Sequence, residues 1–189
     1  QSMRAVGIIL AGGNNHRMRE LSNKRAVSAM PFAGSYRSID FVLSNMSNSK
    51  VNRVAVLTQY NSRSLNEHLS SAKWWDFGRK QGGLYILPPN LYRSGSVNAT
   101  SLEQLISVRN FISNSVQEYV YLCDADVVSN FNLKKMLRKH VSSGADITVG
   151  YRYGKPPKGN CVMDLKMDAE GAINEILISP SGKTECNYG

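Results

Sequence analysis

The feature that most constrains the fold lies near the start of the sequence, where an apolar run ends at two adjacent glycines. Residues 5–10 read Ala-Val-Gly-Ile-Ile-Leu, and Gly12 and Gly13 follow Ala11. A short apolar run that stops at a glycine pair is typical of a buried strand leading into a tight turn. The sequence therefore predicts a strand at the start of the chain, and the turn after it is the first place to look for function.

This turn is a candidate phosphate-binding site. Glycine permits positive φ and close backbone approach, so exposed N–H groups can hold phosphate oxygens there. A nearby arginine would add a charge-assisted fork. The candidate phosphate-binding residues are Leu10, Ala11, Gly12, Gly13 and Arg17, and Arg17 is also the one candidate for a catalytic role. An ordinary β-to-α turn with a surface arginine is the alternative that these residues leave open.

The charge balance narrows the class of ligand. The chain has 189 residues, enough for one domain with a core of its own, and a net charge of +9. Its basic residues are dispersed, and no run of five like charges occurs. This pattern favours a small anionic ligand, although a basic balance that only aids solubility stays open. We expect no nucleic-acid partner, because no face that mixes basic and aromatic residues is evident.

Cysteine usage and hydropathy exclude other classes. Cys123, Cys161 and Cys186 are odd in number and widely spaced, which indicates neither a zinc site nor a disulfide framework. No signal peptide and no apolar stretch of membrane-spanning length is evident, so we expect a cytoplasmic protein with no membrane partner. Residues 1–2 precede a methionine and are interpreted as the remnant of an expression tag.

A pair of aspartates is the second chemical signal. The apolar run Tyr119–Cys123 predicts a buried strand, and Asp124 and Asp126 come directly after it. Ligands of open α/β sheets bind outside the carboxyl ends of the strands, where aspartates can hold Mg²⁺ together with substrate phosphates. The alternative is that one aspartate caps the helix that begins near Leu133.

The remaining pattern predicts the fold class. Apolar spacing indicates further strands at residues 54–57, 84–87 and 146–151, and helices at residues 38–47, 62–71, 101–113 and 133–141. An antiparallel ribbon follows over residues 161–176. Such alternation predicts an α/β fold with a doubly wound, mostly parallel sheet and a short antiparallel extension. No linker divides residues 3–189, so we expect them to belong to one domain. The last residues carry no pattern that would end the fold, and this leads us to expect a longer protein.

Several motifs together resemble the sugar-nucleotide pyrophosphorylases, and within them glucose-1-phosphate adenylyltransferase. They are the Leu10–Gly13 turn with Arg17, the run from Arg25 to Phe41, and the segments at residues 57–60 and 82–89. The resemblance implies a Rossmann-like nucleotidyltransferase domain, followed in the full protein by a left-handed β-helix domain absent from this sequence. It also implies a reaction that joins ATP and glucose 1-phosphate to give ADP-glucose and pyrophosphate, with Mg²⁺.

The resemblance assigns roles to further positions. Asp126 takes the place of the family's aspartate that binds Mg²⁺, and Asp124 is the alternative. We expect this ion only when a nucleotide is bound. Asn90 takes the place of the family's glutamine on the adenine side of the nucleotide site. Residues 100–104 read Thr-Ser-Leu-Glu-Gln where the family has Gly-Thr-Ala-Asp-Ala.

Two departures affect the phosphate site itself. Asn15 stands where the family has a third glycine, and its Cβ restricts φ and crowds a triphosphate. Val27 stands where active members carry a lysine, so a cation is lost.

The pattern resembles the noncatalytic accessory subunit of some Gram-positive bacteria, which implies a hetero-tetramer with the catalytic subunit. Two alternatives stay open: an active enzyme that uses Lys24 or Arg25 instead, and a sensor that binds ATP or a sugar phosphate without turnover.

Overall fold

The computed structural model describes most of the chain. The described residues are 4–11, 27–32, 34–58, 62–71, 75, 77, 83–88, 101–156, 161–180 and 185–188. The chain forms two compact units, residues 1–135 and 136–189. None of the helices in these described ranges is long and apolar enough to cross a membrane.

The first unit contains most of the regular structure. In chain order its elements are β1 (Ala5–Ala11), a 3₁₀ turn (Val27–Ala29), β2 (Pro31–Phe32), β3 (Tyr36–Arg37), α1 (Ser38–Asn48), β4 (Arg53–Thr58), α2 (Arg63–Ser71), β5 (Gly83–Leu87), α3 (Ser101–Ser107), α4 (Arg109–Ser113) and β6 (Tyr119–Asp124). Helix α5 (Leu133–Ser143) runs across the boundary, and the second unit adds β7 (Arg152–Gly154), β8 (Cys161–Met167), β9 (Ile173–Pro180) and β10 (Cys186–Tyr188).

A four-stranded parallel sheet in the order β5-β4-β1-β6 organises the first unit. The predicted first strand is confirmed and lies inside this sheet, with every one of its residues buried. Near-continuous apolar runs are typical of parallel strands, because helices cover both faces. The fold class predicted from the sequence, a doubly wound α/β sheet, is therefore confirmed.

Helices pack on both faces of this sheet. On one face Ile9 and Val56 meet apolar residues of α1, α2 and the start of α5. On the other face Ile8 and Leu57 meet Val108 and residues of α3 and α4. Successive residues of a strand point to opposite faces, so each strand contributes to both cores.

One close approach fixes how α1 lies on the sheet. Gly7 is buried in β1, and a Cβ added there would lie 2.5 Å from Met46 Sδ and 3.2 Å from Val54 Cγ2. Met46 is fully buried on α1. Only glycine allows β1 and α1 to come this close without displacing the methionine.

The predicted helix over residues 101–113 is wrong in one respect, since the structure has two helices. The N–H of Val108 donates to the carbonyl of Leu105 at 3.1 Å, an i→i−3 bond that closes α3. Val108 is buried against the sheet. The break between α3 and α4 therefore falls at a residue that is packed into the core.

The second unit is a four-stranded antiparallel sheet in the order β7-β10-β8-β9. The predicted ribbon over residues 161–176 is confirmed as β8 and β9. The predicted strand over residues 146–151 is wrong, because this segment pairs with none of the described strands. Ile147 is 80% exposed. An alternating apolar pattern needs a neighbouring strand for its backbone, and without one it does not form a ladder.

Candidate functional site

The order of the strands defines a crevice at one edge of the parallel sheet. From β1 the chain continues to β4 and β5 on one side, and it later returns to β6 on the other side. Leu10 lies opposite Asp124 in the register of β1 and β6. Ligands of open α/β sheets bind outside the carboxyl ends of strands at such a switch point. The candidate site therefore lies where β1 and β6 end.

The first two predicted site residues, Leu10 and Ala11, have side chains that are buried in the core. Leu10 is 7% exposed and packs into the core on the α3 side, whereas Ala11 is 2% exposed and packs into the core on the α1 side. The carbonyl of Leu10 accepts the N–H of Ala125 at 2.9 Å, which ties β1 to the residue after β6. Both side chains therefore support the strand end, and only main-chain groups are left to meet a ligand.

Several other predicted site residues lie outside the described part of the chain. They are Gly12, Gly13, Arg17 and Asn90, together with Asn15. The structure describes the backbone at Val27, which begins the 3₁₀ turn. The next two residues, Ser28 and Ala29, are buried, and Ala29 belongs to the same core as α1 and α2. Residue 27 therefore begins a turn whose next two residues are packed into the core.

The aspartate pair lies at the end of β6 as predicted. Asp124 and Asp126 are both exposed, and Ala125 between them is 1% exposed. Partial desolvation at the strand end raises the pKa of Asp124, and the negative charge of Asp126 raises it further. Two carboxylates that repel each other at a sheet edge favour a cation between them or beside them.

The residues present fit a magnesium ion that a nucleotide carries in. Among the described residues, no group of three or more His, Cys, Asp or Glu side chains forms an all-protein metal site. Mg²⁺ does not need one, because one or two carboxylates with substrate phosphates complete its shell. The alternative role as a helix cap is wrong, since Asn132 caps α5: its Oδ1 accepts the N–H of Lys135 at 3.0 Å.

The cysteine in β6 offers no nucleophile to the site. Cys123 is a free thiol on the inner face of the strand. Burial, together with the smaller effect of the Asp124 charge, raises its pKa to about 12. A thiol with this pKa stays protonated near neutral pH, and the protonated form is a weak nucleophile.

A polar network joins α1 to α2. His68 Nε2 lies 2.6 Å from Asp40 Oδ1, and both side chains are largely buried. The backbone N–H of Arg37 donates to the other carboxylate oxygen, Asp40 Oδ2, at 2.9 Å. The Asp40 carboxylate is therefore held by partners on two different elements.

The same network reaches the chain after α2. The Arg37 guanidinium donates to the carbonyl of Ser64 at 2.8 Å. The indole N–H of Trp75 donates to Ser44 Oγ at 3.1 Å, and its ring lies edge-on to His68. No sequence spacing indicates the two hydrogen bonds, because they join residues that are 27 and 31 positions apart. Their effect is to fix α2, which follows β4 at the carboxyl edge of the sheet.

Comparison with known proteins agrees with this geometry. Residues 6–188 match the family described as Nucleotidyl transferase. A glucose-1-phosphate adenylyltransferase of Clostridium kluyveri is 40% identical, over 87% of this chain and 44% of that protein. The enzyme of the same name from Clostridium acetobutylicum is 39% identical, over 93% of this chain and 46% of that protein. One from Halalkalibacterium halodurans is 37% identical, over 76% and 38%. The chain thus spans less than half the length of these curated relatives.

Proposed function

Because the chain belongs to the nucleotidyl transferase family, we propose that it is part of an accessory subunit of a bacterial ADP-glucose-forming enzyme. Its relatives are glucose-1-phosphate adenylyltransferases. In this proposal the protein has little activity alone. It joins catalytic subunits in a cytoplasmic hetero-tetramer that serves glycogen synthesis, and it raises their activity or tunes their response to effectors.

The observation that carries this proposal is the residue at position 27. Val27 replaces the lysine that active members of the family carry after an Arg-Ala pair. The surrounding scaffold is retained, because Ser28 and Ala29 are packed into the core beside α1 and α2. A retained scaffold with an apolar residue at a cationic position is what we expect of a subunit that assembles but does not catalyse.

The physical cost follows from the chemistry. In the proposed family reaction the sugar phosphate attacks the α-phosphorus of ATP and pyrophosphate leaves, so charge on the phosphoryl oxygens must be stabilised. Mg²⁺ held by Asp126, with Asp124 beside it, would supply part of that stabilisation. A missing cation costs on the order of 2–4 kcal/mol of transition-state stabilisation, or about 10²–10³ in rate. Crowding of the turn by Asn15 would add to this loss.

A three-way assay tests the proposal. ADP-glucose formation is measured for the full-length protein alone, for a catalytic subunit from the same organism alone, and for the two together. We expect little product from the protein alone, and a higher rate or a changed effector response in the mixture. Formation of ADP-glucose by the protein alone at the rate of the catalytic subunit would contradict an accessory role.

An active adenylyltransferase is the second candidate. The observation that favours it is that Lys24 and Arg25 lie three and two positions before Val27, so a cation is available within three residues. In that case the substitution of both residues by glutamine should abolish activity of the protein alone. If the protein is inactive alone, calorimetric titration with ATP and Mg²⁺ then separates a nucleotide sensor, which binds, from a purely structural subunit, which does not.

A further inference from the structure

We propose that one face of α5 is a docking surface for an acidic patch on the catalytic subunit, an inference that rests on the proposed function. We call this face the basic stripe. It consists of four exposed residues, Lys134, Lys135, Arg138 and Lys139. Residues four apart lie on the same side of a helix, so the two pairs Lys134/Arg138 and Lys135/Lys139 form two adjacent rows.

The stripe cations form no ion pair within the part of the chain that the structure describes. Helix α5 contains no acidic residue. The ion pairs found in the described parts of the chain involve Arg4, Arg63, His68 and Lys166, and none of the four stripe cations. A charged face on an isolated protein is commonly balanced by neighbouring opposite charges. Among the described residues, no such compensation is found along the stripe.

The placement of these charges is unfavourable for the helix itself. Asn132 caps α5 through the N–H of Lys135, so both lysines lie in the first turn. Cations in the first turn are opposed by the helix dipole, and like charges at i,i+4 repel each other. Natural sequences break such local rules mainly at functional sites. A carboxylate-rich partner would remove both penalties at once.

The size and chemistry of the stripe favour a protein surface over a nucleic acid. From Lys134 to Lys139 the helix rises by roughly 7.5 Å, which matches a few carboxylates on a protein better than a long phosphate backbone. Helix α5 has no Phe, Tyr or Trp on which a base could stack. The inner side of the helix is already used, because Leu133 is buried in the core.

The test reverses the charge of the stripe in the full-length protein. The variant is K134E/K135E/R138E/K139E, and its matched control is K50E/R109E/R152E/K155E, which changes four other exposed cations by the same total charge. Glutamate in a first helical turn is favoured by the dipole, so the thermal midpoint of the stripe variant should not fall. Binding to the catalytic subunit is measured at low and at high salt.

We expect the stripe variant to bind the catalytic subunit about tenfold or more weakly and to lose most of the salt dependence, while the control binds like the wild type. If the variant and the wild type bind the catalytic subunit equally well, the role assigned to the stripe is overturned, while the proposed function is not. Equal weakening in both variants would overturn it too, because net charge would then be the cause. A wild type that does not bind the catalytic subunit overturns both the stripe and the proposed function. Tight binding of a short RNA duplex through these residues, with subunit binding unaffected, would place the stripe with a nucleic acid instead.

Discussion

At the scale of single residues, the candidate site depends on where a few charges are placed. Asp124 and Asp126 bring negative charge to the end of β6, and residue 27 is an uncharged valine. Carboxylates at a strand end favour a cation, whereas a valine offers no charge to a phosphate group. Under the proposed function, the site would therefore keep the carboxylates that suit Mg²⁺ and lack a cation that would stabilise a transferring phosphoryl group.

The raised pKa of Asp124 gives a prediction about pH. The folded state binds this proton more tightly than the unfolded state, so ionisation of Asp124 costs stability above its folded pKa. Asp124→Asn should therefore raise the thermal midpoint at neutral pH, by at most about 2 °C because the group is exposed. The gain should disappear as the pH falls below the ordinary aspartate range. Asp146→Asn, at another exposed aspartate, is the control. An equal effect of both variants in thermal melts would contradict this cause.

At the scale of elements, the parallel sheet and its helices are held by contacts that periodicity does not reveal. The network of Arg37, Asp40, Ser64 and His68 joins α1 to α2 through buried polar groups. Gly7 sets the spacing between β1 and α1. Each of these contacts can be tested by its effect on the free energy of unfolding.

Loss of the histidine in the network should be costly. His68→Ala leaves Asp40, a residue that is 8% exposed, with the backbone N–H of Arg37 as the remaining hydrogen-bond partner of its carboxylate among the described residues. An unsatisfied buried acceptor costs about 1–3 kcal/mol. Arg63→Ala breaks the exposed pair with Glu67 and should cost no more than about 0.5 kcal/mol. Urea denaturation of both variants measures the difference. If His68→Ala costs no more than the control, the network does not hold α2.

Filling the space at Gly7 should strain the contact with α1. Gly7→Ala places a methyl group against Met46 and Val54 in a close-packed core, and we expect a loss of about 1–3 kcal/mol. Met46→Val removes the nearest atoms, so the double variant should lose less than the sum of the two single changes. The double-mutant cycle is read from urea denaturation midpoints. Additive losses would show that the two residues do not compete for the same space.

At the scale of the whole molecule, the sequence predicts the architecture better than the chemistry. Buried parallel strands are legible in runs such as residues 5–10, because both faces of such a strand are apolar. The segment at residues 146–151 has the alternating apolar pattern of a strand and yet forms none, since strand formation depends on a partner that the sequence does not name. The contact of Asp40 with His68 was equally hidden, because it joins residues far apart in the chain. The position of the aspartates at the end of β6 could be predicted from the sequence because it depends only on where the strand ends.

The account predicts that catalysis was lost at two positions while the fold and the assembly role were kept. The most direct measurement is ADP-glucose formation by the full-length protein alone, compared among the wild type, V27K, N15G and the double variant. We expect a wild type with little activity, an increase of roughly 10²–10³ for V27K, and a further increase for the double variant. A wild type that is already as active as a catalytic subunit, with no gain from either change, would contradict the account.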